Sequence, residues 1–318
     1  MTDFSTARPL SARSILRIGS RGSPLALAQA RQVQDRLVAA CGLAPERIEI
    51  KTIRTTGDAI SDRPLAEAGG KGLFTKEIEE ALLAGVIDLA VHSSKDMPTV
   101  LPDGLVLSAF LPREDARDAF ISRKAKNLSE LLNGAVVGTA SPRRQALLRH
   151  LRPDLTIVPL RGNVETRLRK LETGTIDATV LAVAGLKRLG LLAAATAIFE
   201  IEEFLPAVAQ GAIGLETRAD DATTAALVAA VNDSDTATAV TAERAFLAEL
   251  DGSCRTPIAG HARLSGGIVH LRGMIAKTDG SAAVEVSRAG KPTEAVALGA
   301  EAGRELRARA GPDFFARA

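Results

Sequence analysis

The chain has 318 residues, of which 46% are hydrophobic and 25% charged, a composition typical of a globular protein long enough for two or three domains. Its 40 basic and 38 acidic side chains nearly cancel, so bulk charge does not indicate nucleic-acid binding. Trp and Tyr are absent and aromatic residues make up only 3%, which argues further against the stacking platforms of single-strand binders.

The first two thirds of the chain alternate short apolar runs with helical patterns. Strands are predicted at Leu16–Ser20, Arg47–Thr52, Ile87–His92, Ala119–Ser122, Ala135–Gly138, Thr156–Leu160 and Ala178–Ala182. Helices are predicted at Pro24–Ala40 and Leu73–Ala84, and others are predicted to begin near Leu128, Pro142, Val164 and Leu186. This alternation is typical of parallel sheets covered by helices.

From about Thr236 the pattern becomes that of a small antiparallel sheet with helices. A helix precedes Cys254, strands are predicted at His261–Leu264 and Ile268–Met274, and a last helix spans Thr293–Arg309. We therefore expect an α/β protein with two lobes and a smaller C-terminal α+β domain. The expected domains are 1–111 with 211–229, 114–205, and 234–318, with crossings between lobes at Phe110–Arg113 and Leu205–Gln210.

Cysteine usage and the N-terminal residues bear on the compartment. Two cysteines, Cys41 and Cys254, are too few for a disulfide framework. Met1–Ser14 lacks the apolar core of a signal peptide, and no stretch approaches the ~20 apolar residues of a membrane span. We therefore expect a cytoplasmic protein that works without a membrane.

Cys254 has an informative setting. It follows an amphipathic helix, lies on a tight turn that Pro257 ends, and is next to Arg255. A neighbouring cation favours the thiolate, which can act as a nucleophile or hold a group covalently. Most free cysteines are instead small buried hydrophobes, and this segment alone leaves both interpretations open.

Arginine recurs where predicted strands pass into helices. In one such turn, Ser23 caps a helix that begins with Pro24, and the free backbone amides beside Arg21 offer an anion site. Taken alone, this motif is better explained by a plain capped helix with Arg21 in solvent. The segment Thr139–Arg144 repeats this arrangement. The arginines at such junctions are Arg21, Arg143, Arg144, Arg161, Arg167 and Arg188. Because Arg captures carboxylate or phosphate with two parallel hydrogen bonds, the set predicts a polyanionic ligand.

A glycine-rich loop lies between the second strand and the second helix. It contains Gly-Gly-Lys-Gly, with Lys71 as its cation. This is not a phosphate-binding P-loop, because Leu65 and Gly72 stand where that motif requires Gly and Ser or Thr. A long loop with three glycines and several charges is more typical of a mobile flap over a site.

The segment Val91–Pro98 carries Lys95 and Asp96 at the carboxyl end of a predicted strand, where ligands bind in open α/β sheets. The alternative is a turn with a solvated Lys–Asp pair. The chain has four histidines but no metal-ligand spacing and no dinucleotide-binding motif, so neither a metal nor a nicotinamide cofactor is predicted.

These motifs together resemble the porphobilinogen deaminase family, also called hydroxymethylbilane synthase. The resemblance runs from about Arg17 to Ala259. It rests on Arg21-Gly-Ser-Pro-Leu-Ala, Gly69-Gly-Lys-Gly-Leu-Phe, His92-Ser-Ser-Lys-Asp, Pro142-Arg-Arg-Gln, Leu160-Arg-Gly-Asn-Val, Leu181-Ala-Val-Ala-Gly-Leu-Lys-Arg-Leu-Gly and the segment around Cys254.

The resemblance implies a transferase that joins four porphobilinogen molecules head to tail, releases four ammonia and yields the linear tetrapyrrole hydroxymethylbilane, a haem and chlorophyll precursor. It implies a dipyrromethane cofactor held by Cys254 through a thioether, as a permanent primer on which the product grows. It further implies a monomer with two lobes like type II periplasmic binding proteins and the active cleft between them.

Site residues also follow from the resemblance. Asp96 matches the catalytic carboxylate, which would stabilise the cationic azafulvene left by the loss of ammonia and move protons. Each pyrrole carries an acetate and a propionate, so cations are needed beside it. Residues matched to the binding of cofactor and substrate carboxylates are Arg21, Ser23, Lys71, Ser93, Lys95, Thr139, Ser141, Arg143, Arg144, Arg161, Asn163, Arg167 and Arg188.

Three positions depart from the family's pattern. Glu67 stands where Lys is frequent, Ala140 where Ser is frequent, and Ala209 where Gly is expected. These changes affect a second flap cation, one loop hydroxyl and the hinge freedom near Gln210.

A competing hypothesis is a two-lobed binding module that closes on an anion without chemistry. The missing signal peptide and the extra domain with Cys254 argue against it.

Overall fold

The computed structural model describes residues 15–59, 72–250, 257–311 and 314. Its helices are α1 (Pro24–Cys41), α2 (Thr56–Ala59), α3 (Lys76–Leu83), α4 (Pro142–Leu151), α5 (Val164–Glu172), α6 (Val183–Arg188), α7 (Ala222–Ala229), α8 (Ser234–Glu249) and α9 (Ala295–Ala310). Its strands are β1 (Leu16–Ser20), β2 (Ile48–Thr52), β3 (Leu89–Ser93), β4 (Leu105–Phe110), β5 (Asp118–Ser122), β6 (Val136–Gly138), β7 (Thr156–Val158), β8 (Ala178–Ala182), β9 (Ala197–Ile198), β10 (Ile213–Arg218), β11 (Ile258–Ser265), β12 (Ile268–Ala276) and β13 (Ala283–Gly290).

The described residues form two compact units. Unit 1 takes its described residues from 15–59, 72–113 and 212–237, and unit 2 takes them from 114–211 and from the described part of 238–318. Within this part of the chain, no helix is both long and apolar enough to cross a membrane.

Unit 1 is built on a five-stranded sheet with the order β2-β1-β3-β10-β4. Strand β1 is parallel to both β2 and β3, whereas β10 is antiparallel to β3 and β4. Its two faces are covered by different helices. Ile18, Leu89 and Leu215 belong to a buried cluster that includes residues of α1 and α7, and Ala90 belongs to a second cluster with Ile78 of α3.

The start of α1 follows from its sequence. Ser23 has an extended backbone and its hydroxyl oxygen accepts a hydrogen bond from the N–H of Ala26, while Pro24 takes the first helical position. Gly42 ends the helix with φ +63°, a left-handed conformation that glycine adopts without strain. The cap places Arg21 and Ser23 at the carboxyl end of β1.

Unit 2 contains a second five-stranded sheet with the order β7-β6-β8-β5-β9. Strand β6 is parallel to β7 and β8, and β5 is antiparallel to β8 and β9. This is the arrangement of the first sheet: three parallel strands, then an antiparallel strand, then an edge strand. The two lobes therefore share one strand pattern.

The C-terminal part of unit 2 is a three-stranded antiparallel sheet with the order β11-β12-β13. Helix α9 packs against β12 and β13. Ala259 of β11 and Met274 of β12 join the buried cluster of the second lobe around Phe120 and Phe204, so the small sheet and the lobe share one core.

The predicted α/β class, with two lobes and a smaller C-terminal sheet and helix, is confirmed. The parallel pairing expected from the alternation is present in three strands of each five-stranded sheet, whereas β5 and β10 run antiparallel to the neighbours they separate. The helix predicted near Leu128 is a single 3₁₀ turn, Leu128–Glu130, and the helix predicted from Leu73 begins at Lys76.

Candidate active site

A cavity opens at the carboxyl ends of β1 and β3 in unit 1. Its wall includes polar side chains from α1, from β3 and from the turn that follows each of β1 and β3, namely Arg21, Ser23, Gln29, His92, Ser93 and Asp96. Phe74 and Thr75, which precede α3, add an aromatic ring and a hydroxyl group. The position agrees with the rule that ligands of open α/β sheets bind at the carboxyl ends of strands.

Arg21 is held in this wall by two neighbours. Its Nε lies 3.1 Å from Oδ1 of Asp58, its Nη2 also contacts that carboxylate, and its guanidinium lies 4.1 Å from the centre of the Phe74 ring. Burial acts to raise the pKa of Asp58, but hydrogen bonds from Arg21 and Thr55 outweigh it and lower the pKa on balance. The stacked and paired guanidinium is preorganised to receive an anion.

Asp96 ends the 3₁₀ turn Ser94–Asp96 that follows β3. Its side chain is half-buried and lines the cavity. No side chain or backbone group of the described residues hydrogen-bonds or pairs with its carboxylate. The neighbouring Lys95 is exposed, and Ser93 accepts a hydrogen bond of 2.9 Å from the Gln29 amide.

Behind the cavity wall lies a buried acidic cluster. His92 Nε2 is 3.0 Å from Oε2 of Glu216, and both side chains are almost fully buried. Glu79 of α3 is also buried, and burial raises its pKa; the charge of Glu216 acts in the same direction and a hydrogen bond with Thr75 opposes it. Sequence reasoning missed all three residues as parts of the site; the only signal was that His92 opens the His-Ser-Ser-Lys-Asp motif.

In unit 2, Arg143 and Arg144 lie together on a buried carboxylate. Arg143 Nη2 is 2.7 Å and Arg144 Nη2 is 2.6 Å from the two oxygens of Asp118, which is fully buried. Gln210 Nε2 adds a donor at 3.1 Å. Burial acts to raise the pKa of Asp118, but the two guanidinium groups outweigh it and lower that pKa to about 2.

The loop before α4 has the predicted helix cap. The hydroxyl of Ser141 accepts a hydrogen bond from the N–H of Arg144, and Thr139 is buried with its hydroxyl accepting from the N–H of Ser141 at 3.2 Å. Both hydroxyl oxygens therefore serve the turn that presents the paired arginines.

The turn between β7 and α5 has a helix cap that was not predicted from the sequence. Asn163 Oδ1 accepts from the N–H of Thr166 at 2.8 Å, and Arg167 Nε donates to the carbonyl of Gly162 at 2.8 Å. Gly162 has φ +111°, a conformation that side chains rarely adopt. Arg161 and Arg167 are half-buried, and each has further interactions within the structure.

Arg188 ends α6 and donates from Nη2 to the carbonyl of Gly211 at 2.7 Å. Burial lowers the pKa of its guanidinium to about 10, while Glu114 acts in the opposite direction. Its Nε is buried and has no acceptor in the described part of unit 2, and the same holds for Nε of Arg143. Buried donors of this kind fit a ligand that brings carboxylates.

Two predicted site residues, Cys254 and Lys71, lie outside the described residues, as does the departure at Glu67. The departure at Ala209 is described. This residue has φ +59°, the left-handed conformation in which the family's glycine would be unstrained. Its N–H donates to Oε2 of Glu243 at 2.5 Å, and the other carboxylate oxygen accepts from the N–H of Ala262 at 2.6 Å.

The fold is that of an α/β protein with two lobes, and the loops at the strand ends carry guanidinium groups, hydroxyls and, in unit 1, the carboxylate of Asp96, which has no partner among the described residues. Two family models match the chain. One, described as "Porphobilinogen deaminase, dipyromethane cofactor binding domain", matches residues 16–226, and the other, "Porphobilinogen deaminase, C-terminal domain", matches residues 237–308. The chain belongs to the porphobilinogen deaminase family.

Curated relatives agree with this assignment. Porphobilinogen deaminase of Nitrobacter hamburgensis is 64% identical over 298 residues, covering 94% of this chain and 94% of the relative. The enzyme of Paracoccus denitrificans is 59% identical over 300 residues, covering 94% of this chain and 96% of the relative.

Solved structures of periplasmic binding proteins are more distant. A periplasmic substrate-binding protein of an ABC transporter from Coxiella burnetii is 19% identical, covers 68% of this chain and 92% of its own, and has a TM-score of 0.42. The methionine-binding protein MetQ is 20% identical, covers 68% and 89%, and has a TM-score of 0.43. At these TM-scores the structures add nothing to the family assignment, which rests on sequence.

The chain therefore has the activity of its family: it is a transferase of tetrapyrrole biosynthesis that acts on porphobilinogen and uses a dipyrromethane cofactor. In unit 2, the buried Nε groups of Arg143 and Arg188 are donors of the kind that carboxylates accept from. In unit 1, taken by itself, the cavity wall offers the Arg21 guanidinium and hydroxyl groups of the same kind. The cofactor supplies a primer for chain growth. The hypothesis of a binding module without chemistry is set aside.

Proposed function

We propose that Asp96 is the catalytic carboxylate of the porphobilinogen condensation and that the unit 1 cavity is where it acts. One observation carries this proposal: Asp96 lines the cavity with no hydrogen-bond or ion-pair partner among the described residues. By contrast, Asp58, Asp88 and Asp118 are each bound to arginine.

An unpaired carboxylate in a partly enclosed cavity suits two tasks. It accepts hydrogen bonds from pyrrole N–H groups, and it stabilises the positive charge that forms on the substrate when ammonia leaves. Arg21 does not neutralise the carboxylate of Asp96, because its guanidinium is already bound to Asp58. Asp96 therefore meets the developing cation with its own charge intact.

The proposed partners of the ligand carboxylates divide between the two units. In unit 1 they are Arg21, Ser23, Ser93 and Lys95, with Lys71 outside the described residues. In unit 2 they are Thr139, Ser141, Arg143, Arg144, Arg161, Asn163, Arg167 and Arg188. Arg188 is supported by its buried Nε, whereas Arg143 and Arg144 are bound to Asp118 and would act through their remaining N–H groups.

Cys254 is proposed to hold the dipyrromethane through a thioether. The test is the mass of the intact protein, expressed where the precursor is present: an increment of two linked pyrrole units is expected on the wild type and none on Cys254→Ser. With limiting substrate, a ladder of one to four added rings is expected. A wild-type mass without any increment would contradict the tether.

The proposed domains are 1–111 with 211–229, 114–205, and 234–318. We further propose a cytoplasmic monomer that needs neither a membrane nor a nucleic acid, supported by the small-molecule substrate of the family and the near-zero net charge. Sedimentation equilibrium at working concentration should give the mass of one chain. A concentration-dependent dimer would contradict the monomer.

The role of Asp96 is tested with Asp96→Ala and the matched control Asp103→Ala, which removes an exposed carboxylate from a nearby loop. We expect Asp96→Ala to lower kcat by about 10²-fold or more, since the negative charge that stabilises the cationic substrate is lost. Asp103→Ala should keep the wild-type rate. Thermal unfolding and intact mass should be the same in all three proteins, and near-normal turnover of Asp96→Ala would overturn the proposal.

A further inference from the structure

His92 is a buried imidazole in the wall of the cavity that holds Asp96, and no role above uses it. It lies on β3, is 5% exposed, and its Nε2 is 3.0 Å from the buried Glu216 of the adjacent strand β10. An ionised carboxylate can only accept hydrogen bonds, so beside it Nε2 carries the hydrogen and Nδ1 carries the lone pair. No described group is hydrogen-bonded to Nδ1.

The surroundings of this imidazole are acidic. Glu216 faces it from β10, and Glu79 faces it from α3, where burial and Glu216 raise the pKa of Glu79. Oε1 of each of these carboxylates is buried without a hydrogen-bond partner in the described part of the chain. On the cavity side lie Asp96 and Arg21, and the buried polar side chain of α1 is the neutral Gln29.

Each condensation releases a proton as well as ammonia. When a new link forms, the ring carbon that has been joined still carries its hydrogen. That C–H bond breaks, its electron pair returns to the pyrrole ring, and the proton needs an acceptor. If Asp96 took this proton, it would lose the negative charge with which it stabilises the cationic substrate. Two groups with different environments divide such tasks better than one.

We propose that His92, oriented by Glu216, accepts this proton on Nδ1 and passes it to water. The proposal rests on the proposed role of the cavity around Asp96. Glu216 is a positioning residue in this scheme: it fixes the ring through Nε2 and balances the charge of the imidazolium without meeting the substrate.

The test uses the holoenzyme with His92→Gln, which keeps a donor for Glu216 but cannot hold a proton. We expect kcat to fall by about 10²-fold with KM retained. If His92 is the base, kcat of the wild type should rise with pH through one ionisation, and this ionisation should be absent from the pH profile of His92→Gln. In Glu216→Gln this ionisation should move to lower pH, because the imidazolium loses its counter-charge. His150→Gln is the matched control, since that ring is bound to the carbonyl of Gly280.

A readout independent of activity comes from NMR. The chain has only four histidines, so the ring signal missing from His92→Gln identifies His92 in the wild type. Its titration should have the same midpoint as the rise in kcat and should move in Glu216→Gln. A His92 ring that keeps one protonation state over that range, or an unchanged pH profile in His92→Gln, would overturn the proposal. If Asp96→Ala is impaired while His92→Gln is normal, only this inference fails; if Asp96→Ala is normal, the cavity itself is the wrong site.

Discussion

Asp118→Asn should destabilise unit 2 far more than the loss of an exposed carboxylate. Asp118 is fully buried and holds the guanidinium groups of Arg143 and Arg144 at 2.7 and 2.6 Å. Asparagine keeps the shape but leaves two buried cations without a counter-charge. Removing one partner of a buried ion pair costs about 3–5 kcal/mol, and this is the loss we expect in the free energy of unfolding.

The pKa of Asp118 gives a second measure of this stabilisation and the direction in which it changes with pH. It falls from 3.8 to about 2 on folding, and one pKa unit is worth about 1.4 kcal/mol, so ionisation contributes about 2 kcal/mol. Because the folded pKa is depressed, this contribution is fully present above the unfolded pKa and is lost as pH falls towards 2. The expected cost of Asp118→Asn exceeds 2 kcal/mol because the variant also buries unpaired arginines.

The assay is urea unfolding followed by far-UV circular dichroism, since the chain has no Trp or Tyr to report by fluorescence. The matched control is Glu172→Gln, which removes one charge from an exposed pair with Arg123 in the same unit. Exposed pairs contribute about 0–1 kcal/mol, so its unfolding midpoint should barely move. If Asp118→Asn unfolds at the same urea concentration as Glu172→Gln, the assignment of a buried ionic cluster is wrong.

Three further outcomes are expected. Ala209→Val should lower the midpoint of thermal unfolding, since a β-branched residue at φ +59° adds more than about 1–2 kcal/mol of strain. Ala209→Gly should be tolerated. Equal midpoints for the two variants would contradict the left-handed backbone. Gly299→Ala should lower the free energy of unfolding by about 1–3 kcal/mol, because the new Cβ in α9 would lie 2.1 Å from the carbonyl oxygen of Ala242 in α8. The control is Glu301→Ala, a change at an exposed position of the same helix. Similar unfolding curves for the two variants would refute the close approach. Asp58→Asn should raise KM for porphobilinogen several-fold while leaving kcat near normal, since Arg21 loses the carboxylate that orients it; a lower KM would mean that Asp58 competes with the substrate instead.

Local signals predicted those parts of the fold that depend on neighbouring residues. Ser23 with Pro24 and Ser141 with Pro142 mark helix starts, and both caps form as predicted. Strand β10 is not predicted from the sequence, and it carries Glu216, a residue type that is rarely buried unless it is paired. Glu216 is buried there only because His92, 124 positions away in sequence, meets it on the neighbouring strand.

In the candidate site, too, contacts between residues distant in sequence could not be predicted. Sequence position predicted that Asp96 and Arg21 lie at the carboxyl ends of strands, and both line one cavity. It did not predict that Arg143 and Arg144 bind Asp118, since the partner of a cation is chosen by the packing of distant segments. Arginines counted from sequence as free for ligands are therefore partly committed to the protein itself.

The order of strands in the two sheets sets an order of assembly during synthesis. The second lobe draws all five strands, β5 to β9, from one continuous stretch of chain, and each can pair once that stretch has left the ribosome. The first lobe cannot: β4 pairs only with β10, which is made about a hundred residues later. We therefore expect the sheet of the first lobe to be completed after the sheet of the second, with β4 lacking its partner strand and exposed to chaperones in the interval.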